Sequence, residues 1–146
     1  MAKDCKDPNP YCRCLFYAAN ALARNLTRIS EEAFAPTGLA PSLAFVLMTV
    51  NRQPGIQPSE VAQVMRLSPS TVTRLVEKLE AKGLLRREAQ GKSILIHPTV
   101  VGIGLQPALE AAWQRTHTVY SDALGEEPAQ QLAGEIFAAA QVLEQS

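Results

Sequence analysis

Residues 57–87, QPSEVAQVMRLSPSTVTRLVEKLEAKGLLRR, decide how this chain folds. They read as two short helices joined by a tight turn, then a glycine stop and the start of a basic strand. Apolar or small residues fall at Val61, Ala62, Met65, Leu67, Val72, Leu75 and Leu79, the positions that line the inside of a helix-turn-helix. In the second helix, Val72, Leu75, Val76 and Leu79 recur at i, i+3, i+4 and i+7, which commits one face to a core. The opposite face carries Ser70, Thr71, Thr73, Arg74 and Lys78. Short hydroxyls and cations of this kind reach base edges and phosphates in a DNA major groove. A plain amphipathic helix pair would show the same apolar spacing. The short turn, the small Ala62 at the helix crossing and the polar outer face favour DNA binding.

Local punctuation agrees. Ser68 before Pro69 is an N-cap with proline at the first helical position, where a missing N–H costs nothing. Gly83 stands where a left-handed residue would end the helix, and Lys82 complements the negative end of the dipole. Pro58 opens the preceding helix in the same way, with Glu60 in its first turn. After Gly83, the stretches 84–87 and 94–97 each have the composition of a short strand, with Gln90-Gly91-Lys92 as the hairpin tip. A helix-turn-helix followed by a hairpin is a winged helix. Its wing usually lies along the DNA backbone or minor groove, which makes Arg86, Arg87 and Lys92 candidate phosphate contacts.

The chain has 146 residues and a formal net charge of +0, so total charge does not point to a polyanionic partner. The distribution is more informative. Residues 58–92 hold seven cations against four glutamates, whereas residues 126–146 hold four glutamates and no cation. Local field matters more than the sum for an encounter with DNA. The length suits one domain with a real core. The opening MAKDCKDPNP lacks the apolar run of a secretory signal, and no window has the uninterrupted apolar length needed to span a bilayer. The expected location is cytoplasmic, without membrane contact, and the sequon at Asn25 is then coincidental.

Elsewhere the chain reads as helix. Leu15, Ala18, Ala19, Leu22, Leu26, Ile29 and Ala33 form one apolar stripe between Tyr11 and Phe34, and residues 41–51 form a short buried helix. After Thr99 a helix carries Leu105, Leu109, Ala112, Trp113, Thr116, Val119 and Tyr120 on one face, and Pro107 should kink it or delay its regular start. A last helix from about Pro128 presents Leu132, Ile136, Ala139, Ala140 and Leu143. The expected fold is mainly α with a small β-hairpin wing. Residues 41–97 would form the winged helix-turn-helix lobe, and 11–35 with 99–146 the dimerisation helices, all within one domain spanning 1–146.

This order resembles the multiple-antibiotic-resistance regulator (MarR) family over essentially the whole chain. The carrying residues are Gly38-Leu39, Glu60-Val61-Ala62, the run from Ser70 to Val76, Leu79-Glu80, the run from Gly83 to Arg87, and Thr99 with Gly102. The resemblance implies a homodimeric transcriptional regulator on a pseudo-palindromic double-stranded operator, usually a repressor released by a small-molecule effector or an oxidant. No Ser–His–Asp ordering, phosphate loop or paired carboxylate cluster stands out in the sequence, so no enzyme activity and no cofactor are expected. The resemblance also implies an effector cleft formed by parts of the first helix, the helix with Phe45 and Met48, and the segment from Trp113 to His117. Two departures stand out. Family wings commonly carry Asp-x-Arg or Asp-Arg-Arg, where this chain has Gln90-Gly91-Lys92-Ser93. His97-Pro98 replaces the usual apolar residue before the threonine, so the outgoing strand is expected to end early.

Three cysteines, Cys5, Cys12 and Cys14, fall at the approach to the first helix. An odd number in a reducing compartment argues against a structural disulfide set. Cys12 and Cys14 are candidates for redox or effector sensing, because a thiolate near a helix start and a cation such as Arg13 is reactive. Peroxide-sensing relatives place a cysteine nearby, although neither residue falls squarely on that position. Soft-metal chelation by Cys12 and Cys14 and simple packing remain alternatives. The two histidines are too scattered for a metal site. Two other function classes stay open: a winged-helix protein-interaction module without DNA binding, which Arg74 and Lys78 speak against, and a thiol-dependent redox enzyme, for which no base or pocket is apparent.

Overall fold

The computed structural model describes residues 8–146. Its helices and strands run α1 Leu15–Phe34, a single 3-10 turn Ala35–Thr37, α2 Pro41–Arg52, α3 Pro58–Met65, α4 Pro69–Ala81, β1 Leu85–Gln90, β2 Ser93–Pro98, α5 Val100–Gly104, α6 Gln106–Leu124 and α7 Glu126–Glu144. The mainly helical fold with a hairpin wing is therefore as expected. Two units are distinguishable, Ala33–Arg115 and the remainder, with the boundaries falling inside α1 and α6.

The unit Ala33–Arg115 is organised around α2. Leu43, Ala44, Val46, Leu47, Met48 and Val50 are all buried, because this helix is apolar nearly all round. Val61 and Ala62 of α3, Val72, Val76 and Leu79 of α4, Leu84 and Leu85, Ile96 of β2, and Leu109 and Ala112 of α6 complete one core. Each fully buried aliphatic side chain contributes about 1.5–3 kcal/mol relative to exposure.

The hairpin is antiparallel, with Leu85 opposite Pro98 at its base and Gln90 opposite Ser93 at its tip. Only Gly91 and Lys92 remain in the turn, so the strands are longer than the composition suggested. Gly91 has φ 61°, and glycine in the first of two central positions suits a turn that follows strand twist. The outgoing strand does not end early: proline closes the ladder opposite Leu85, where it interrupts no further pairing. A short third segment, which the sequence reading did not find, pairs with the wing. Gly55 N–H donates to the Ile96 carbonyl at 2.8 Å, and Ile96 N–H donates to the Ile56 carbonyl at 2.9 Å.

Behind the wing, Thr99 caps α5. Its hydroxyl accepts from Gly102 N–H at 3.1 Å and donates to the Gly83 carbonyl at 2.7 Å. Gly102 lies so close to the Leu84 carbonyl that an added Cβ would collide with it. The helix expected after Thr99 is broken: α5 ends at Gly104 and α6 starts at Gln106. Pro107 explains the break, since it lacks the N–H that a continuous helix would aim at Ile103.

In the other unit the first helix begins at Leu15 rather than Tyr11. The residues before it make a turn, with Tyr11 N–H donating to Asn9 Oδ1 at 2.9 Å and Cys14 N–H to the Tyr11 carbonyl at 2.8 Å. Leu22 and Leu26 of α1, Tyr120 and Leu124 of α6, and Ala129, Leu132, Ala133 and Ile136 of α7 line an apolar hollow of ≈ 150 Å³. Large apolar side chains stay in solvent on α1 and α7, among them Leu15 (68% exposed), Phe16 (79%), Phe137 (52%) and Leu143 (63%). His117 is satisfied within α6 and at the start of α7, 3.4 Å from Ser121 Oγ and 3.4 Å from Glu126 Oε1.

Candidate nucleic-acid interface

The second helix of the motif is held at both ends by the residues its sequence suggested. Ser68 Oγ accepts from Thr71 N–H at 3.3 Å, and Pro69 occupies the first turn. At the other end Gly83 has φ 73°. Gly83 N–H donates to the Glu80 carbonyl at 2.9 Å, and Leu84 N–H to the Leu79 carbonyl at 3.0 Å. That pair of bonds is a Schellman stop, which satisfies carbonyls the helix end would otherwise leave open. Helix α3 starts on a capping box that sequence reading missed, between Gln57 and Glu60, in which Gln57 N–H donates to Glu60 Oε2 at 2.9 Å.

Between these helices Arg66 has φ 56° and ψ 42°. It is the only non-glycine residue with positive φ among the described residues. A left-handed arginine costs about 1–2 kcal/mol of backbone strain. The turn requires this conformation to bring α4 across α3.

With Val72, Val76 and Leu79 buried and Leu75 half-buried, α4 presents Ser70, Thr73, Arg74 and Lys78 to solvent. Thr71 is half-buried, its hydroxyl 2.8 Å from Ser68 Oγ, so it contributes to the cap. The Thr73 hydroxyl donates back to the Pro69 carbonyl at 3.0 Å. Rotation of either hydroxyl would release it for an external acceptor.

The wing arginines differ. Arg86 is exposed and lies 3.4 Å from Glu88 Oε2. Arg87 turns to α4: its Nη2 is 2.9 Å from Glu80 Oε1, and its backbone N–H donates to Glu80 Oε2 at 3.0 Å. The hydrogen-bonded Arg87 guanidinium holds the Glu80 carboxyl below the usual carboxylate range, and Glu80 raises Arg87 in return. Lys92 is exposed in the turn. His97 Nε2 comes within 3.1 Å of Glu88 Oε2, yet it is buried and makes no hydrogen bond, so the approach is close but poorly directed.

The expectation that the cysteines form no disulfide does not hold. Cys12 is disulfide-bonded, and Cys14 is a free, exposed thiol. An odd cysteine count forbids pairing all three but leaves room for one pair. Cys5 lies outside the described residues. Among the described residues, no three His, Cys, Asp or Glu side chains converge as metal ligands. No single helix among them is long and apolar enough to cross a membrane.

Capped recognition helix, left-handed turn, hairpin and returning strand segment together define a winged helix-turn-helix protein. Residues 37–93 match the model of the MarR family. The chain is 34% identical over 56 residues to the HTH-type transcriptional repressor MdtR of Bacillus subtilis (strain 168), a match covering 38% of this chain and 36% of that protein. It therefore spans about a third of the length of that curated relative. The crystal structure of CouR from Rhodococcus jostii RHA1 bound to p-coumaroyl-CoA superposes with a TM-score of 0.76 at 25% identity, covering 88% of this chain and 92% of that one. The S. aureus MepR–DNA complex gives 0.76 at 17% identity over 88% and 97%, a likeness of fold. Over residues 37–93 the chain is similar to the MarR family, and its fold matches solved structures of MarR-type transcriptional regulators.

Proposed function

We propose that this protein is a homodimeric, sequence-specific DNA-binding transcriptional regulator that represses until a signal releases it. The observation that carries the reading is the α4 surface, where Arg74, Lys78 and Ser70 stand in solvent on a helix whose other face is buried. In this reading α4 enters the major groove, with Ser70, Thr71, Thr73, Arg74 and Lys78 facing bases and inner phosphates. Arg86 and Lys92 meet the backbone beside the wing. The unit containing α4 and the wing is the DNA-reading lobe, and the terminal helices are the dimerisation elements. A twofold dimer would space two recognition helices about one DNA turn apart on a pseudo-palindromic operator. Repression is supported by the name of the B. subtilis relative, and DNA as partner by the MepR complex. The expected location is the cytoplasm, where the operator is.

For the signal, CouR with its coumaroyl thioester supports an organic effector. A redox signal would act through the exposed Cys14 thiol, since Cys12 is already bonded.

The test uses the duplex that the protein enriches from a randomised-sequence library. Arg74→Ala should weaken binding to that duplex by about 1–3 kcal/mol at fixed salt without changing the melting temperature. Unchanged affinity would remove α4 from base reading. In the same assay, peroxide should release DNA from the native chain and not from Cys14→Ser. Equal release from both would take Cys14 out of the response, and release from neither would leave the organic effector as the signal.

A further inference from the structure

Arg86 and Arg87 are neighbours in sequence, but a strand sends successive side chains to opposite faces, and here the two have different surroundings. Arg86 stands exposed beside Glu88. Arg87 is gripped by the last turns of α4. Glu80 takes its Nη2 at 2.9 Å, its Nε at 3.4 Å and its backbone N–H at 3.0 Å, and Glu77 Oε1 lies 3.8 Å from Nη1. One carboxylate therefore binds both the guanidinium fork and a main-chain donor on β1. A bidentate fork fixes orientation as well as distance, which a single point charge does not.

We infer that Arg87 is a positioning residue: with Glu80 it locks the wing to the recognition helix, so that Lys92 and Arg74 reach DNA as parts of one rigid surface. This rests on the DNA-binding reading above and assigns Arg87 a role different from the phosphate contact expected from its charge. Apart from the single bridge of Ile56 to Ile96 at its base, the hairpin is two strands wide, and a two-stranded ribbon has little stability of its own. Beyond its base, where Leu85 and Ile96 are buried, β1 is exposed from Arg86 to Gln90. The Glu80 bonds hold Arg87 directly opposite the buried Ile96, at the outer edge of that base, where they set the direction in which the rest of the wing projects.

Glu80→Gln separates this role from simple electrostatics by sign. Removing a negative charge beside a DNA surface would tighten binding if Glu80 only repelled phosphate. Under the positioning role, Glu80→Gln should instead weaken binding to the enriched duplex by about tenfold. Lys92→Ala should weaken binding in the native background and have little further effect in Glu80→Gln, because a wing that is not held gains little from its tip. Arg87→Lys, which keeps the charge and loses the fork, should behave like Glu80→Gln. Tighter or unchanged binding in Glu80→Gln, an undiminished Lys92→Ala effect, or native affinity in Arg87→Lys would each overturn the inference. Amide hydrogen exchange without DNA supplies an independent reading: the Arg87 N–H should exchange faster in Glu80→Gln while the Val76 and Leu79 amides do not change. Unchanged exchange at Arg87 would remove the clamp itself. If the native chain enriches no duplex at all, the DNA-binding reading fails and the positioning role falls with it, whatever the exchange shows.

Discussion

The two units of this chain differ in how completely they bury their apolar residues. In Ala33–Arg115, Phe34, Leu47, Val50, Ile56, Val61, Val72, Leu79, Leu85, Ile96 and Leu109 are all nearly inaccessible to solvent. In the unit of terminal helices, Leu15, Phe16, Ile136, Phe137, Val142 and Leu143 are exposed, and among the α7 residues only Ala129 is buried. The first unit closes its own core, whereas the second leaves its core unfinished. Exposed apolar stripes of this extent mark a surface that associates. A second copy of the same helices is the covering that the proposed dimer provides.

The comparison breaks most severely at Gly102. A methyl group there meets the Leu84 backbone carbonyl, which cannot swing aside as a side chain would. Gly102→Ala should cost about 3 kcal/mol of unfolding free energy by displacing α5 from the strand base. Chemical denaturation measures it, and a loss near zero would show that the closed unit tolerates slack.

In the unfinished unit the sensitive quantity is assembly. Ile136 is 48% exposed and also borders the apolar hollow. Ile136→Asp should weaken dimerisation by about a hundredfold, because twofold symmetry places the charge in the interface twice. Sedimentation at a series of concentrations reads it, and an unchanged association constant would mean that α7 does not pair.

The smallest effect is pH-dependent and lies in the closed unit. The Glu80 carboxyl is depressed by its hydrogen bonds to Arg87, so its folded pKa is below its unfolded one. Its contribution is fully present above the ordinary carboxylate range and is lost as pH falls through the depressed folded value. The pair is about a third exposed, so this amounts to about 0.5 kcal/mol after solvent screening. Glu80→Gln should remove that acid-side slope from the stability curve. A variant with the same slope as the native chain would assign the slope to other carboxylates.

The helix-turn-helix was legible because its signals are local. Apolar spacing at Val72, Leu75, Val76 and Leu79, the Ser68-Pro69 cap and the Gly83 stop each depend on a few neighbouring residues. Pro107 marked the break before α6 for the same reason, through a single missing donor. The boundaries of α1 and of the hairpin were less legible, since pairing between Gln90 and Ser93 forms across the turn and leaves little trace in composition. The α4 hydroxyls and cations could be read as a face, while the state of each side chain could not.

What the sequence determined by itself was the identity of the helices, their capped ends, the presence of a wing and the resemblance to MarR regulators, because periodicity and turn chemistry act within a few residues. Tertiary structure alone decided that Ile56 pairs with Ile96, that Gly102 must be small beneath Leu84, that Cys12 is bonded while Cys14 is free, and that Arg87 faces Glu80 while Arg86 faces solvent. Adjacent arginines look alike in a sequence. They come to differ when a strand turns one of them toward a carboxylate on a helix that only the fold brings near.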